Sequence, residues 1–423
     1  MKHVVIGAGP AGIVAAETLR KLDAAASVTV VGDEPEAPYS RMALPYFLVK
    51  QIAEEGTFLR KGDGHFAKQR IDVVQDRVTG IDRAARQLAL AGGGRLGYDK
   101  LLIATGSRPV APPIPGMDLP GIFSCWTLAD ARNIAQRAKP GAKVLLMGAG
   151  FIGCIILEAL AQSGADLTVV EMEDRMVPRM MNDTAGNLIK AWCESQGVRV
   201  HTSTRVVGIA KGAAHAFKVD LSTGQQIDAD LIVSATGVRP NVQFLDGSGI
   251  EVQQGILVNR HMQTNDPDIY AAGDVAQGRD FSTGEYSVQA IQPTATEHGQ
   301  LAARNMAGHV GAVHRGSVNM NVLDTLGLIS SSFGLWMGKP GGESAELLSR
   351  ERFRYINLQF EDDTLVGATS LGMTQHVGVI RGLIQTRTRL GKWKERLLED
   401  PTRLMEAYLG STQAVGFNAA LLK

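Results

Sequence analysis

Lys2-His3-Val4-Val5-Ile6-Gly7-Ala8-Gly9-Pro10-Ala11-Gly12 is the stretch on which the reading of this chain turns. A short β-rich run, Lys2 to Ile6, leads into a glycine turn and then a helical pattern carrying Val14, Leu19 and Leu22. A second strand, Val28 to Val31, ends at Gly32-Asp33-Glu34. The glycine spacing puts Gly7 where the chain must turn tightly, Gly9 where backbone must approach a pyrophosphate, and Gly12 where helix packs on strand. The helix opening at Pro10 and Ala11 presents free N–H groups and a positive dipole end to phosphates. Glu34 is a suitable acceptor for a ribose hydroxyl. The glycine pattern alone is weak; the strand-turn-helix context and Glu34 give it weight.

The arrangement recurs from Lys143: strand Val144 to Met147, turn Gly148-Ala149-Gly150-Phe151-Ile152-Gly153, helix through Leu160, strand Leu167 to Val170, then Glu171. A carboxylate at Glu171 would accept hydrogen bonds from a ribose diol. A 2′-phosphate would meet like charge there, costing on the order of 1 to 4 kcal/mol at contact distance. NADH is therefore expected over NADPH, with Arg175, four residues on, the feature that weakens this expectation.

At 423 residues, with 44% apolar content, the chain has material for several cores. Lys plus Arg equals Asp plus Glu at 43 each, so no global field recruits nucleic acid or an anionic membrane. Cys125, Cys154 and Cys193 are too widely spaced for a CxxC redox pair or a metal-ligand cluster, so redox chemistry needs an imported cofactor and no metal is expected. Such sparse thiols suit a reducing cytosol. The longest charge-free apolar run, Val144 to Leu157, is shorter than the ~20 residues of a membrane span and reads as a buried strand and turn. The first strand starts at Lys2, which leaves no room for a cleavable leader, and a cytoplasmic location is expected.

Leu101-Leu102-Ile103-Ala104-Thr105-Gly106 is echoed by Leu231-Ile232-Val233-Ser234-Ala235-Thr236-Gly237, each an apolar strand ending in Thr-Gly. The Pro-rich stretch Pro109 to Pro120 reads as an interdomain crossover, with the return near Arg239-Pro240-Asn241. A helix is expected from about Thr294 to Met306, with Pro293 in its first turn. From about Asn319 the chain alternates β-rich runs with one amphipathic basic segment, Arg381 to Leu398.

Taken in order, Gly7 to Gly12, Ala104-Thr105-Gly106, Gly148 to Gly153, Ala235-Thr236-Gly237 and Tyr270-Ala271-Ala272-Gly273-Asp274 resemble the two-dinucleotide-fold FAD and NAD(P)-dependent pyridine nucleotide oxidoreductases. Within that superfamily the chain is most similar to NADH oxidases, rubredoxin and ferredoxin reductases, and the flavin region of NADH-dependent nitrite reductase. The resemblance implies an α/β fold with two Rossmann-like, three-layer units, the NAD unit inserted into the FAD unit, plus a C-terminal α+β domain. The expected domains are 1–115 with 243–315 for FAD, 116–242 for NADH, and 319–423 for an interface or dimerisation domain.

The resemblance further implies that Asp274 hydrogen-bonds the FAD ribityl chain, with Gly273 allowing close backbone approach. It implies that the helix opening at Gln292-Pro293-Thr294 points its N-terminus at the pyrimidine edge of the flavin, where a dipole stabilises the charge of the reduced ring. Arg41 and Val78 also fall at the FAD side, and Gly237 at the nucleotide side. Asp274 also reads as a helix N-cap, which is compatible with that role.

Departures from the family pattern narrow the chemistry. Several relatives keep a reactive Cys in the segment matching Ser40-Arg41-Met42-Ala43-Leu44-Pro45-Tyr46, and Met42 holds that slot here. A thioether supports neither a sulfenic acid cycle nor a mixed disulfide, so peroxidase and disulfide-reductase chemistry is disfavoured. Ferredoxin-reductase-like members pair a Glu with a Lys beside the flavin; those slots here are Ile155 and Tyr46. Losing both charges together avoids leaving one buried and unpaired. Tyr46 reads as either a ring near the flavin or a core aromatic.

The expectation is an NADH:acceptor oxidoreductase: hydride from NADH to FAD, then electrons to oxygen, a small oxidant or a redox protein, with no side chain acting as a covalent catalyst. The alternative is a flavoprotein whose redox state controls partner binding, as in the resembling apoptosis-inducing factors. Arg381, Arg387, Arg389, Lys392, Lys394 and Arg396 near Trp393 could dock an acidic electron carrier or form an ordinary solvated helix face. Relatives use the C-terminal domain for dimerisation or for closing the flavin pocket, and the apolar run Val322 to Phe333 suits either; His261, His298 and His376 read as structural.

Overall fold

The computed structural model describes residues 1–309 and 311–421, with side chains described outside 413–421. Contacts divide the chain into two compact units. The first comprises Met1–Val110, Trp126–Ala131 and Val238–Ser317. Its centre is a five-stranded parallel sheet in the order Ile269–Ala271, Lys100–Ile103, Lys2–Ile6, Ser27–Gly32, Ile71–Gln75. Strand Lys2–Ile6 pairs on both sides, Ile6 against Val31 and against Ile103. A strand in that position is covered on both faces, which is why it reads as an unbroken apolar run; Val4, Val5 and Ile6 are all buried.

Helix Pro10–Leu22 follows the first turn. Its buried face is made of Ala11, Gly12, Ile13, Ala15, Ala16 and Leu19. That corrects the expected face: Val14 is half-buried and Leu22 is exposed. Small residues are inside because helix Gln292–Met306 packs closely against this one; a Cβ on Gly299 would lie 2.3 Å from the Ala11 carbonyl oxygen. An antiparallel meander, Val78–Asp82, Gln87–Leu90 and Arg95–Gly97, and a small sheet of Ile256–Leu257, Ala276–Arg279 and Tyr286–Val288 complete the unit. The two crossover stretches meet as a ribbon, Ser107–Pro109 antiparallel to Val238–Pro240.

The second unit comprises Ala111–Cys125, Arg132–Gly237 and Val318–Lys423. Its parallel sheet runs Arg199–His201, Asp166–Val170, Lys143–Met147, Leu231–Ser234, Ile122–Phe123, and a meander of Val206–Lys211, Phe217–Leu221 and Gln226–Ala229 packs beside it. The C-terminal part is a five-stranded antiparallel sheet, Met320–Thr325, Leu328–Gly334, Thr364–Leu371, Arg354–Glu361, Glu343–Ser349, followed by helices. It is fastened within the unit to helix Asp183–Ser195: Trp192 Nε1 donates to the carbonyls of Thr325 and Leu326, and Asn182 at the helix N-cap donates to the Tyr355 hydroxyl at 2.7 Å.

Arg381 to Leu398 is not one amphipathic helix. Helices Val377–Thr386 and Lys392–Glu399 are separated at Arg387 and Gly391, both in the left-handed half of φ at 49° and 53°. Lys394 pairs with Glu343, and Arg396 stacks 4.5 Å from the Trp393 ring, so part of the basic run is spent inside the unit. No described helix is long and apolar enough to cross a membrane. Among the described residues no group of His, Cys, Asp and Glu is arranged to hold a metal ion.

Candidate functional site

The first turn is built by close backbone contacts. Gly7 has φ +111° and donates its N–H to Val31; a Cβ on it would lie 2.1 Å from the Ala104 carbonyl oxygen. A Cβ on Gly12 would lie 1.9 Å from the Gly7 carbonyl oxygen. Gly9, the N-cap of the helix, differs: a Cβ there would meet nothing within 4 Å. No side chain caps this helix, and Pro10 in its first turn has no N–H to satisfy. An uncapped helix start beside open space at Gly9 is a cradle shaped for an anion.

Around the turn, side chains from four segments of the first unit join in one network. Glu34 receives Arg41 at 2.6 Å and the Tyr39 hydroxyl at 2.5 Å. The Arg41 guanidinium lies 5.6 Å from the Tyr39 ring and 5.3 Å from the Trp126 ring, and it donates to the Trp126 carbonyl. Trp126 Nε1 donates to the Ser107 carbonyl at 2.9 Å, and Ser107 Oγ donates to Asp274 at 2.8 Å. Thr105 and Asn241 exchange side-chain to backbone hydrogen bonds at 2.9 Å each, which locks the Ala104-Thr105-Gly106 turn.

Asp274 is not a helix N-cap; it lies in the short turn Gly273–Val275, whose N-cap is Ala272. Burial holds its carboxyl above the ordinary carboxylate value, an effect partly offset by the Ser107 hydroxyl and by Arg41. A Cβ on Gly273, at φ +76°, would lie 3.3 Å from the Ala11 side chain and 3.4 Å from that of Ala295. Helix Gln292–Met306 likewise begins without a side-chain cap, with Pro293 in its first turn and Thr294 buried. Gln292 is tied to the loop before Arg41 by the Ser40 hydroxyl at 2.6 Å.

The second turn repeats the steric design. Gly148, φ +96°, would carry a Cβ 2.6 Å from the Ala235 carbonyl oxygen, Gly153 one 2.1 Å from that of Gly148, and Gly150 one in open space. Helix Phe151–Gln162 starts uncapped, with Phe151 and Ile152 half-buried in its first turn. Gly237, φ +126°, ends the neighbouring strand connection, also with open space at its Cβ position.

Glu34 and Glu171 have the same place in their repeats but different partners. Glu171 is 6% exposed and is held by backbone: it accepts from the N–H of Ala149 at 2.6 Å and of Glu173 at 3.0 Å. Arg175 is drawn to Asp174 at 2.7 Å, to Asp183 at 2.9 Å and to the Met181 carbonyl at 3.0 Å.

Of the residues singled out in the sequence, Gly7 to Gly12, Glu34, Arg41, Ala104 to Gly106, Gly273, Asp274 and Gln292 to Thr294 gather in the first unit. Val78 lies in the apolar core of that unit. Gly148 to Gly153, Glu171 and Gly237 gather in the second. Tyr46 is 55% exposed and Met42 43%, so Tyr46 is not a core aromatic. Tyr39, Ser107 and Trp126 were missed. The only local signal among them is Tyr39, an aromatic two residues before Arg41.

All three cysteines are free and buried. Burial pushes the Cys193 thiol up to about 12 and the Cys154 thiol well above its ordinary value, so neither is a ready thiolate. His298 is 3% exposed on helix Gln292–Met306; burial, with the neighbouring His314, lowers it to about 3 and keeps it neutral.

Two strand-turn-helix units, each with an open middle glycine and a carboxylate closing the second strand, define a two-dinucleotide oxidoreductase. Residues 1–299 match the pyridine nucleotide-disulphide oxidoreductase family, and the chain belongs to it. It is an oxidoreductase of pyridine nucleotides with FAD and NADH as its cofactors.

The NADH-dependent phenylglyoxylate dehydrogenase subunit epsilon of Aromatoleum evansii is 33% identical over 414 residues, covering 97% of this chain and 98% of that one. An NADH oxidase of Methanocaldococcus jannaschii is 32% identical over 326 residues, covering 73% and 70%. Among solved structures, an NAD-dependent persulfide reductase from A. fulgidus superposes with a TM-score of 0.86 at 28% identity, covering 93% of this chain and 78% of that one.

Proposed function

We propose that the protein takes hydride from NADH onto FAD and passes the electrons to a redox-protein partner, without a thiol step. The observation that carries this reading is the pairing of two open glycine cradles with three buried cysteines, of which burial holds Cys154 and Cys193 as thiols, and a methionine at position 42. With no thiolate to form a mixed disulfide, electrons leave directly for the acceptor. The choice of a protein acceptor draws support from the phenylglyoxylate dehydrogenase subunit, which aligns with this chain end to end and is named as one subunit of a larger enzyme.

In this reading the first turn, Glu34, Arg41 and Asp274 hold FAD, and the helix Gln292–Met306 directs its uncapped N-terminus at the ring. FAD, when bound, accepts a hydride and releases electrons singly or in pairs. Gly150 leaves room for the pyrophosphate of NADH and Glu171 receives its ribose. Arg175, engaged by two carboxylates, is not free to greet a 2′-phosphate, which favours NADH over NADPH.

Anaerobic stopped-flow mixing tests the proposal. NADH should bleach the flavin band much faster than NADPH at equal concentration. The reduced protein should then reoxidise faster with an iron–sulfur protein such as a rubredoxin or ferredoxin than with oxygen. Failure of both nucleotides to bleach the flavin would remove the reading, and preference for oxygen over every protein acceptor would remove its second half.

Asp274 supplies a separate check. Its raised value means that the folded, flavin-free protein disfavours the ionised form, so stability is lost as pH rises from the ordinary carboxylate value through the raised one. Asp274→Asn removes that penalty. The flavin-free variant should melt no lower than the parent at neutral pH and with a flatter pH dependence, while binding FAD about tenfold more weakly. A variant that melts lower yet holds FAD as tightly would contradict the assignment.

A further inference from the structure

Glu34 lies two residues past the end of the strand Ser27–Gly32 on a side chain with three rotatable bonds, yet a ribose diol demands a carboxylate fixed in one place. Its fixing comes from Tyr39. The Tyr39 hydroxyl has one hydrogen and two lone pairs. It donates the hydrogen to Glu34 Oε2 at 2.5 Å and receives the Leu128 N–H at 3.3 Å and Arg41 Nη1 at 3.2 Å, so no freedom of rotation is left. The ring is 7% exposed. Arg41 fills one further position on the carboxylate, at Oε1. A carboxylate offers about four acceptor positions, so two remain for the two hydroxyls of a ribose.

We infer that Tyr39 is a positioning residue for FAD: it sets the Glu34 carboxylate for the adenosine ribose and anchors it to the Trp126–Ala131 segment of the same unit. The inference rests on reading the first turn as the FAD site. Burial raises the Tyr39 hydroxyl well above its ordinary value, so it stays a donor throughout the working pH range. Acting through Glu34 has a consequence that filling space does not: the two residues must fail together.

The experiment is a double-mutant cycle on FAD binding to the full chain, measured by equilibrium dialysis of deflavinated protein. Tyr39→Phe keeps the buried ring and should weaken FAD binding roughly tenfold. Glu34→Gln, which leaves the buried ring untouched, should weaken it at least as much. The double variant should bind no worse than Glu34→Gln alone, and the flavin-free Tyr39→Phe protein should stay folded but melt a few degrees lower, because the buried Leu128 N–H loses its acceptor. Multiplicative losses in the double variant, or unchanged affinity in Tyr39→Phe, would overturn the role. If the unmutated protein binds no FAD, the assignment of the first turn fails instead.

Discussion

Gly12→Ala should yield protein that purifies almost colourless, with FAD affinity reduced about a hundredfold or more. The new methyl would sit 1.9 Å from the Gly7 carbonyl oxygen and 3.1 Å from a Val5 methyl. The first obstruction is backbone, which cannot swing aside as a side-chain tip can. Gly7 cannot retreat either, because it is itself pressed against Ala104 at φ +111°. The turn must open, and the helix N-terminus moves off the pyrophosphate position.

Gly9→Ala is the companion. Its methyl meets no protein atom within 4 Å, so the flavin-free variant should melt with the parent and lose flavin only because the methyl occupies the ligand's space. Gly12→Ala should lower both the melting temperature and the flavin content. The ratio of flavin to protein absorbance and a melting curve for each flavin-free variant decide the matter. A fully yellow Gly12→Ala protein would refute the steric argument, and a fully yellow Gly9→Ala protein would refute the placement of the pyrophosphate.

Both turns were readable in the sequence because everything they need is local: an apolar strand, glycines at fixed spacing, a helix start and a carboxylate at the end of the next strand. Strand Lys2–Ile6 and helix Gln292–Met306 lie within two residues of where the patterns put them. The network around the first turn was not readable. Arg41 meets the Trp126 carbonyl across 85 positions and Ser107 meets Asp274 across 167, and no pattern in either segment announces its partner. The Trp126–Ala131 segment joins the first unit although its chain neighbours on both sides belong to the second. The break in the basic segment was hidden for another reason: Arg387 takes a left-handed backbone that local rules reserve mainly for glycine and asparagine, so the helical pattern ran through it. Glu34 and Glu171 looked equivalent because position, not partner, is what a sequence displays.

That difference in partners sets the behaviour of the second turn. Glu171→Gln should cut the efficiency of flavin reduction by NADH roughly tenfold to a hundredfold while raising that by NADPH through relief of repulsion, so the preference between them collapses. The carboxylate receives the Ala149 and Glu173 N–H groups, and glutamine can satisfy only one of them through its single carbonyl oxygen. Its amide nitrogen would then face a donor, and the ribose hydroxyls would lose a charged acceptor. The Ala149 carbonyl stays bound to the Val177 N–H at 2.8 Å and the Gly148 N–H to the Val170 carbonyl at 2.8 Å, so the turn keeps these ties and the protein should fold. Flavin content should match the parent, because Glu171 belongs to the second unit and the first turn to the first. Arg175 remains held by Asp174 and Asp183, so NADPH gains relief from repulsion without gaining a partner. Adding Asp183→Asn to Glu171→Gln loosens that hold, and NADPH efficiency should then rise. Steady-state reduction rates with both nucleotides give the ratio directly, and an NADH preference that survives Glu171→Gln intact would place the discriminating contact elsewhere.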